Sequence, residues 1–178
     1  MTNADRYGRV AITLHWLIAL LILTAFVLGL TVDSFSKPWT GTIINLHSLI
    51  GLTILLLTFV RLFWRLGHPA PPLPEAFGQL AKFASSAVHV ALYILMIATP
   101  IIGVPTLLYR GRGLDFGFLQ IASPFARTPE IYRPLTQIHE IAAYALIGLA
   151  VGHALAALYH QFALRDGVLT RMLPAPKR

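Results

Sequence analysis

No cysteine occurs anywhere in the chain, which excludes a disulfide framework, a thiolate metal site and an iron–sulfur cluster. Charge is almost as scarce. Asp, Glu, Lys and Arg make up 12% of 178 residues while hydrophobic residues make up 56%. The mean hydropathy of +0.69 lies beyond what a soluble domain of this length carries, so the chain reads as an integral membrane protein. Acidic residues number seven against fourteen basic ones, a formal charge of +7. That excess does not point to nucleic acid, because the basic side chains sit at the ends of apolar runs and form no aromatic-interleaved groove pattern. Strand-like alternation is missing too. An open sheet could not satisfy its backbone in lipid, so the apolar runs are helices.

Four such runs, about 10–32, 42–64, 82–108 and 135–164, each supply the ~20 residues that span a hydrocarbon core. They predict an all-α fold, a single four-helix transmembrane bundle over residues 1–178. The first run is too long for the apolar part of a signal peptide and no small-residue cleavage motif follows it, so it counts as a span. With both termini cytoplasmic, Arg6, Arg9, Arg61, Arg65, Lys82, Arg165, Arg171, Lys177 and Arg178 lie inside, nine in all, and Lys37, Arg110, Arg112, Arg127 and Arg133, five in all, lie outside. This bias fits the positive-inside rule and a multi-pass protein with both termini inside. The links at 33–41 and 67–78 are short, the second stiffened by prolines. The stretch 109–134, rich in aromatics, Gly and Arg, predicts an ordered surface at the outer interface. Pro100 and Pro105 predict a kink in the third span.

Histidine is the remaining ligand present in quantity. The fourth span carries His139 and His153 fourteen residues apart, which places them on one helix face about 21 Å apart in depth. They cannot hold one metal ion, so each needs a partner on another helix at its own level. Span direction supplies the partners: His47 lies near the outer end of span two, and His15 near the inner end of span one. The pairs His47–His139 and His15–His153 fit two bis-histidine haems stacked across the bilayer, which carry electrons and leave no open iron position. Zinc or another transition metal would want three or four ligands including carboxylate or thiolate, and only Glu140 is nearby. Gly51, Gly148 and Gly152 either thin the helices for a flat macrocycle or serve helix packing.

His89 and His160, both in the inner half, are candidates for a quinone site, where imidazole can bond a carbonyl and pass a proton. His89 could instead replace His15 as inner ligand. His68 is expected to be solvated. Glu140 should point about 100° away from His139, off the haem face and toward Arg133 or another loop arginine.

The segments "LHW" at 14–16, "NLH" at 45–47, "VRLFWRLGHPAPPLP" at 60–74, "HVALYILMIATPIIG" at 89–103, "HE" at 139–140 followed by His153, and "LRDGVLTRMLP" at 164–174 together resemble the bacterial cytochrome b561 family. The resemblance covers nearly the whole chain. It implies two b haems on His15, His47, His139 and His153, with haem iron as the metal. It also implies either of two activities: oxidation of superoxide outside with electrons passed to ubiquinone, or electron relay between a partner dehydrogenase or hydrogenase and the quinone pool. For the first, Arg133, Arg127, Arg110 and Lys37 would steer the anion, although Asp33, Asp115 and Glu130 reduce the outer charge to five minus three, or +2. Besides the lipid bilayer, superoxide and ubiquinone, a partner protein is allowed for but not required. A histidine-based proton or metal transporter is the non-redox alternative.

Overall fold

The computed structural model describes residues 6–72 and 78–174. Lys177, Arg178 and the middle of the 67–78 link lie outside these residues. Four long helices form the molecule: α1 (Arg9–Thr31), α2 (Lys37–Gly67), α3 (Gln79–Tyr109) and α4 (Pro129–Tyr159). All four are long and apolar enough to cross a membrane. The end that carries residues 110–128 is called the outer end, following the charge bias.

Two helices start earlier than the apolar runs suggest, for a local reason. Proline forgoes only a hydrogen bond that the first turn lacks in any case, so Pro38 opens α2 and Pro129, followed by the acidic Glu130, opens α4. Outer-face residues such as Arg133 therefore belong to a helix rather than a loop. α3 runs as one helix through both Pro100 and Pro105.

α3 packs most extensively on α4 and α1 on α2, with α2 against α3, whereas α1 and α4 meet sparsely. The bundle centre is a small apolar cluster: Ile18, Met96 and Leu146 are buried, with Ile22, Leu57, Leu92, Tyr93 and Leu95 packed against them. Leu146 lies midway between His139 and His153, so this cluster fills the bundle between the two histidine levels. The outward faces are apolar as well. Leu56, Ile94 and Leu155 are exposed by 63%, 60% and 60%, a pattern that a lipid environment explains and water would penalise.

Each end has its own closure. At the outer end α3 stops at Gly111, whose positive φ of 71° suits the left-handed position after a helix. A two-stranded hairpin follows, β1 (Leu114–Asp115) against β2 (Gln120–Ile121). At Gly113 a Cβ would stand 2.1 Å from the Ile121 carbonyl oxygen, so no other residue fits. Asn45 ties the hairpin to α2 in both directions, its Nδ2 donating to the Asp115 carbonyl (2.8 Å) and its Oδ1 accepting from the Asp115 N–H (2.9 Å). At the inner end the chain after α4 widens into a π turn (His160–Leu164) and then a 3₁₀ turn (Leu169–Met172). That tail folds back over the bundle: Tyr7 N–H donates to the Arg171 carbonyl (3.2 Å), Trp16 Nε1 to Met172 (2.8 Å) and Arg171 Nη2 to Pro72 (2.9 Å).

Candidate functional site

Helix direction brings His47 of α2 and His139 of α4 to the same level, with ring centroids 5.9 Å apart and planes at 75°. Both rings are fixed from behind. His47 Nδ1 lies 2.8 Å from the Ala25 carbonyl and His139 Nδ1 lies 2.9 Å from the Thr99 carbonyl. A carbonyl only accepts, so Nδ1 carries the proton in each ring and Nε2 keeps its lone pair for a metal.

A helix carbonyl is normally screened by the side chain four residues on. Here that residue is glycine both times: Gly29 follows Ala25 by four, and Gly103 follows Thr99 by four. A Cβ at Gly29 would stand 3.3 Å from the His47 ring, and one at Gly103 would stand 3.0 Å from the His139 ring. The same device, a carbonyl with glycine one turn later, thus notches α1 for His47 and α3 for His139. Neither glycine is legible from histidine spacing, because the notch lies on a different helix from the histidine it receives. Of the glycines singled out from the sequence, Gly51 lines the cavity beside the outer pair. A Cβ at Gly148 or Gly152 meets nothing within 4 Å, which argues against close helix packing at either.

Between and around the outer rings lies a cavity of about 370 Å³ to which all four helices contribute, lined by Phe26, Leu52, Pro100, Val104 and Leu107 among others and roofed by Leu114 of the hairpin. Glu140 also lines it, contrary to the expectation that it faces away, and no ion pair to Arg133 or a loop arginine occurs among the described residues. A 100° step along a helix still reaches a cavity this broad.

At the inner level three rings gather instead of two. His15 and His153 have centroids 6.3 Å apart, and His89 lies 5.1 Å from His153. His89 Nδ1 bonds the Ser85 carbonyl of its own helix at 2.6 Å. Arg61 stands beside this group, its Nε donating to Tyr93 Oη (3.1 Å) and its Nη1 to the Ala11 carbonyl (3.3 Å), and its charge bears on both His15 and His153. Among the described residues no three His, Asp or Glu side chains converge as a free metal-ion site. His160 is not in the group; its Nδ1 pairs closely with the Asp166 carboxylate in the tail. His68 is exposed and stacks on Trp64.

The residues fit a haem at each level. Two nitrogen ligands each about 2 Å from one iron place their ring centroids roughly 6 Å apart, which matches both the 5.9 Å and the 6.3 Å pairs. The outer cavity is lined largely by apolar side chains, and the carbonyl bonds of His47 and His139 leave Nε2 of each ring as the donor.

At the outer surface a second hollow of about 350 Å³ is lined by Arg110, Arg112, Arg127 and Tyr132. Arg127 Nη2 donates to Tyr132 Oη (3.2 Å), and the Arg110 and Arg127 guanidinium carbons stand 5.2 and 5.8 Å from the Tyr132 ring centre. Lys37 and Arg133 are exposed and do not line it. Arg112, another of the outer cations, does. The basin exists because the outer connection folds Gly111 and Gly113 tightly enough to bring residues 110–112 back against 127.

The family profile described as prokaryotic cytochrome b561 matches residues 6–175. The chain belongs to the prokaryotic cytochrome b561 family. It is 31% identical to cytochrome b561 homolog 2 of Escherichia coli K12, over 95% of this chain and 92% of that one. It is 33% identical to the protein named probable superoxide oxidase CybB of Yersinia pestis, over 95% and 96%. Identity to cytochrome b562 of Cereibacter sphaeroides is 31%, over 97% and 98%. As a cytochrome b561 the chain is a multi-pass bacterial membrane protein of electron transfer, and membership implies binding of haem b. The outer and inner histidine levels are the places in this cytochrome b561 where such a group fits.

Proposed function

We propose that this protein oxidises superoxide at the outer side and delivers the electrons across the inner membrane to ubiquinone, through one haem held by His47 and His139 and another held by His15 and His153, with both termini in the cytoplasm. The observation that carries the reading is the arginine basin, because Arg110 lines both the basin and the outer histidine cavity. An anion drawn to Arg112 and Arg127 is thereby brought against the wall of the redox site. Charge focused in a concave site raises the encounter rate of a small anion and falls off with ionic strength.

His47 with His139 and His15 with His153 would each hold a haem, which would supply one-electron exchange. Two superoxide anions give up one electron each and leave as two molecules of O₂. Ubiquinone takes both electrons and two cytoplasmic protons to become ubiquinol. On the inner side His89 lies against His153 and can bond a quinone carbonyl, while His160 with its partner Asp166 can pass protons from the cytoplasmic surface. The similarity to a protein named probable superoxide oxidase supports the donor.

The test is superoxide consumption by the purified protein in liposomes containing ubiquinone. Arg112→Glu and Arg127→Glu each place a like charge in the basin and should reduce the rate at low salt by about tenfold, whereas Arg133→Glu should cost far less. Equal losses for all three would show that overall charge, not the basin, matters. Normal reduction by a dehydrogenase partner with no superoxide turnover would favour the relay reading.

A further inference from the structure

Among the described residues Arg110 is the one side chain that belongs to both outer hollows, and its hydrogen bonding is incomplete. Its backbone caps α3, the N–H reaching the Thr106 and Leu107 carbonyls at 3.3 and 3.2 Å. Its Nη2 donates to Thr136 Oγ1 at 3.1 Å, and Thr136 Oγ1 donates in turn to the Tyr132 carbonyl at 2.7 Å. The Tyr132 ring supports the guanidinium from one side. The Nε–H, however, is buried and meets no acceptor. Glu140 lines the same cavity, yet no ion pair between it and Arg110 occurs among the described residues. A cation held in place with a buried donor unspent is a site for an acceptor that the polypeptide does not provide.

Resting on the haem reading of the outer cavity, we infer that Arg110 anchors a carboxylate of the outer haem. A haem carries carboxylates that need a partner wherever they leave water, and the rigid fork of arginine suits a carboxylate better than the point charge of lysine. Arg110 is then a positioning residue. It couples the charge of the basin to the cofactor and favours the reduced, less positive form of the haem.

The experiment is a spectroelectrochemical titration of the purified holoprotein, with the outer haem identified as the one that disappears in His47→Ala. Arg110→Gln should lower the midpoint potential of that haem and leave the inner one in place; Arg110→Lys should lower it less. Arg112→Gln removes an equal charge from the same basin and should barely move it. An equal shift in Arg112→Gln and Arg110→Gln, or none in Arg110→Gln, overturns the inference. A small anion is the other acceptor with the right chemistry. If chloride or phosphate shifts the wild-type potential saturably and that response is lost in Arg110→Gln, Nε serves an exchangeable ion and the inference fails. Should Arg110→Gln not retain the outer haem, the unaltered protein reconstituted with haem dimethyl ester decides. Blocked carboxylates should weaken outer binding by roughly tenfold or more, and unchanged binding overturns the inference. If His47→Ala keeps as much haem as the unaltered protein, the haem reading beneath it is refuted instead.

Discussion

The outer and inner histidine levels are built on different plans. Outside, two rings each have a dedicated carbonyl on a neighbouring helix and a glycine that clears the way to it. Inside, three rings share the space, and a cation bridged to Tyr93 and Ala11 stands among them. The outer rings are aimed before any cofactor arrives, whereas the inner arrangement relies on what fills it. Preorganisation of this kind narrows the choice of ligand. A level with a spare histidine and an arginine leaves room for a second partner, such as a quinone.

The contrast can be broken most sharply by removing a ring. His139→Ala or His47→Ala should abolish the outer haem and halve the haem per chain, measured by pyridine haemochrome; retention of both haems would refute the outer pairing. At the inner level His15→Ala should likewise lose one haem, while His89→Ala should keep it and impair quinone reduction. The opposite pattern would make His89 the ligand. Next in size is Arg61→Leu, which should lower the inner potential without moving the outer one, because a nearby cation favours the electron-rich state. Smaller still is Gly103→Ala. A Cβ at 3.0 Å from the His139 ring forces a displacement that overpacking studies put at about 1–3 kcal/mol, against a helix-propensity gain of about 1 kcal/mol. Thermal unfolding should show a net loss. Gly29→Ala, at 3.3 Å, should come close to cancelling.

Much of this was legible in the sequence because depth in a membrane helix is nearly linear in residue number. The spacing of His139 and His153, with the direction of each span, placed His47 and His15 opposite them, and the structure has those rings adjacent. Rotation of one helix about its axis relative to another is not encoded that way. So spacing does not reveal the notches at Gly29 and Gly103, turns Glu140 off the haem face, and prefers His15 to His89 as inner ligand without excluding the latter. Which of the outer cations share the basin is hidden for a related reason. Position along the chain favours Arg133, six residues before His139, but the hairpin turn at Gly111 and Gly113 gathers 110, 112 and 127 and leaves Arg133 and Lys37 out. Asn45 in "NLH" gave no hint that it clasps Asp115, since that contact depends on how the hairpin folds over α2.

The apolar layer of Ile18, Met96 and Leu146 makes the molecule behave as a capacitor plate spacer. Protons cannot follow the electron through such a layer, so under the proposed direction each turnover drives negative charge inward and adds to the membrane voltage. The voltage pushes back, at about 2.3 kcal/mol per elementary charge for each 100 mV crossed. Removal of superoxide would accordingly be fastest in a de-energised cell and slowed in a fully charged one, a brake set by insulation rather than by either redox site.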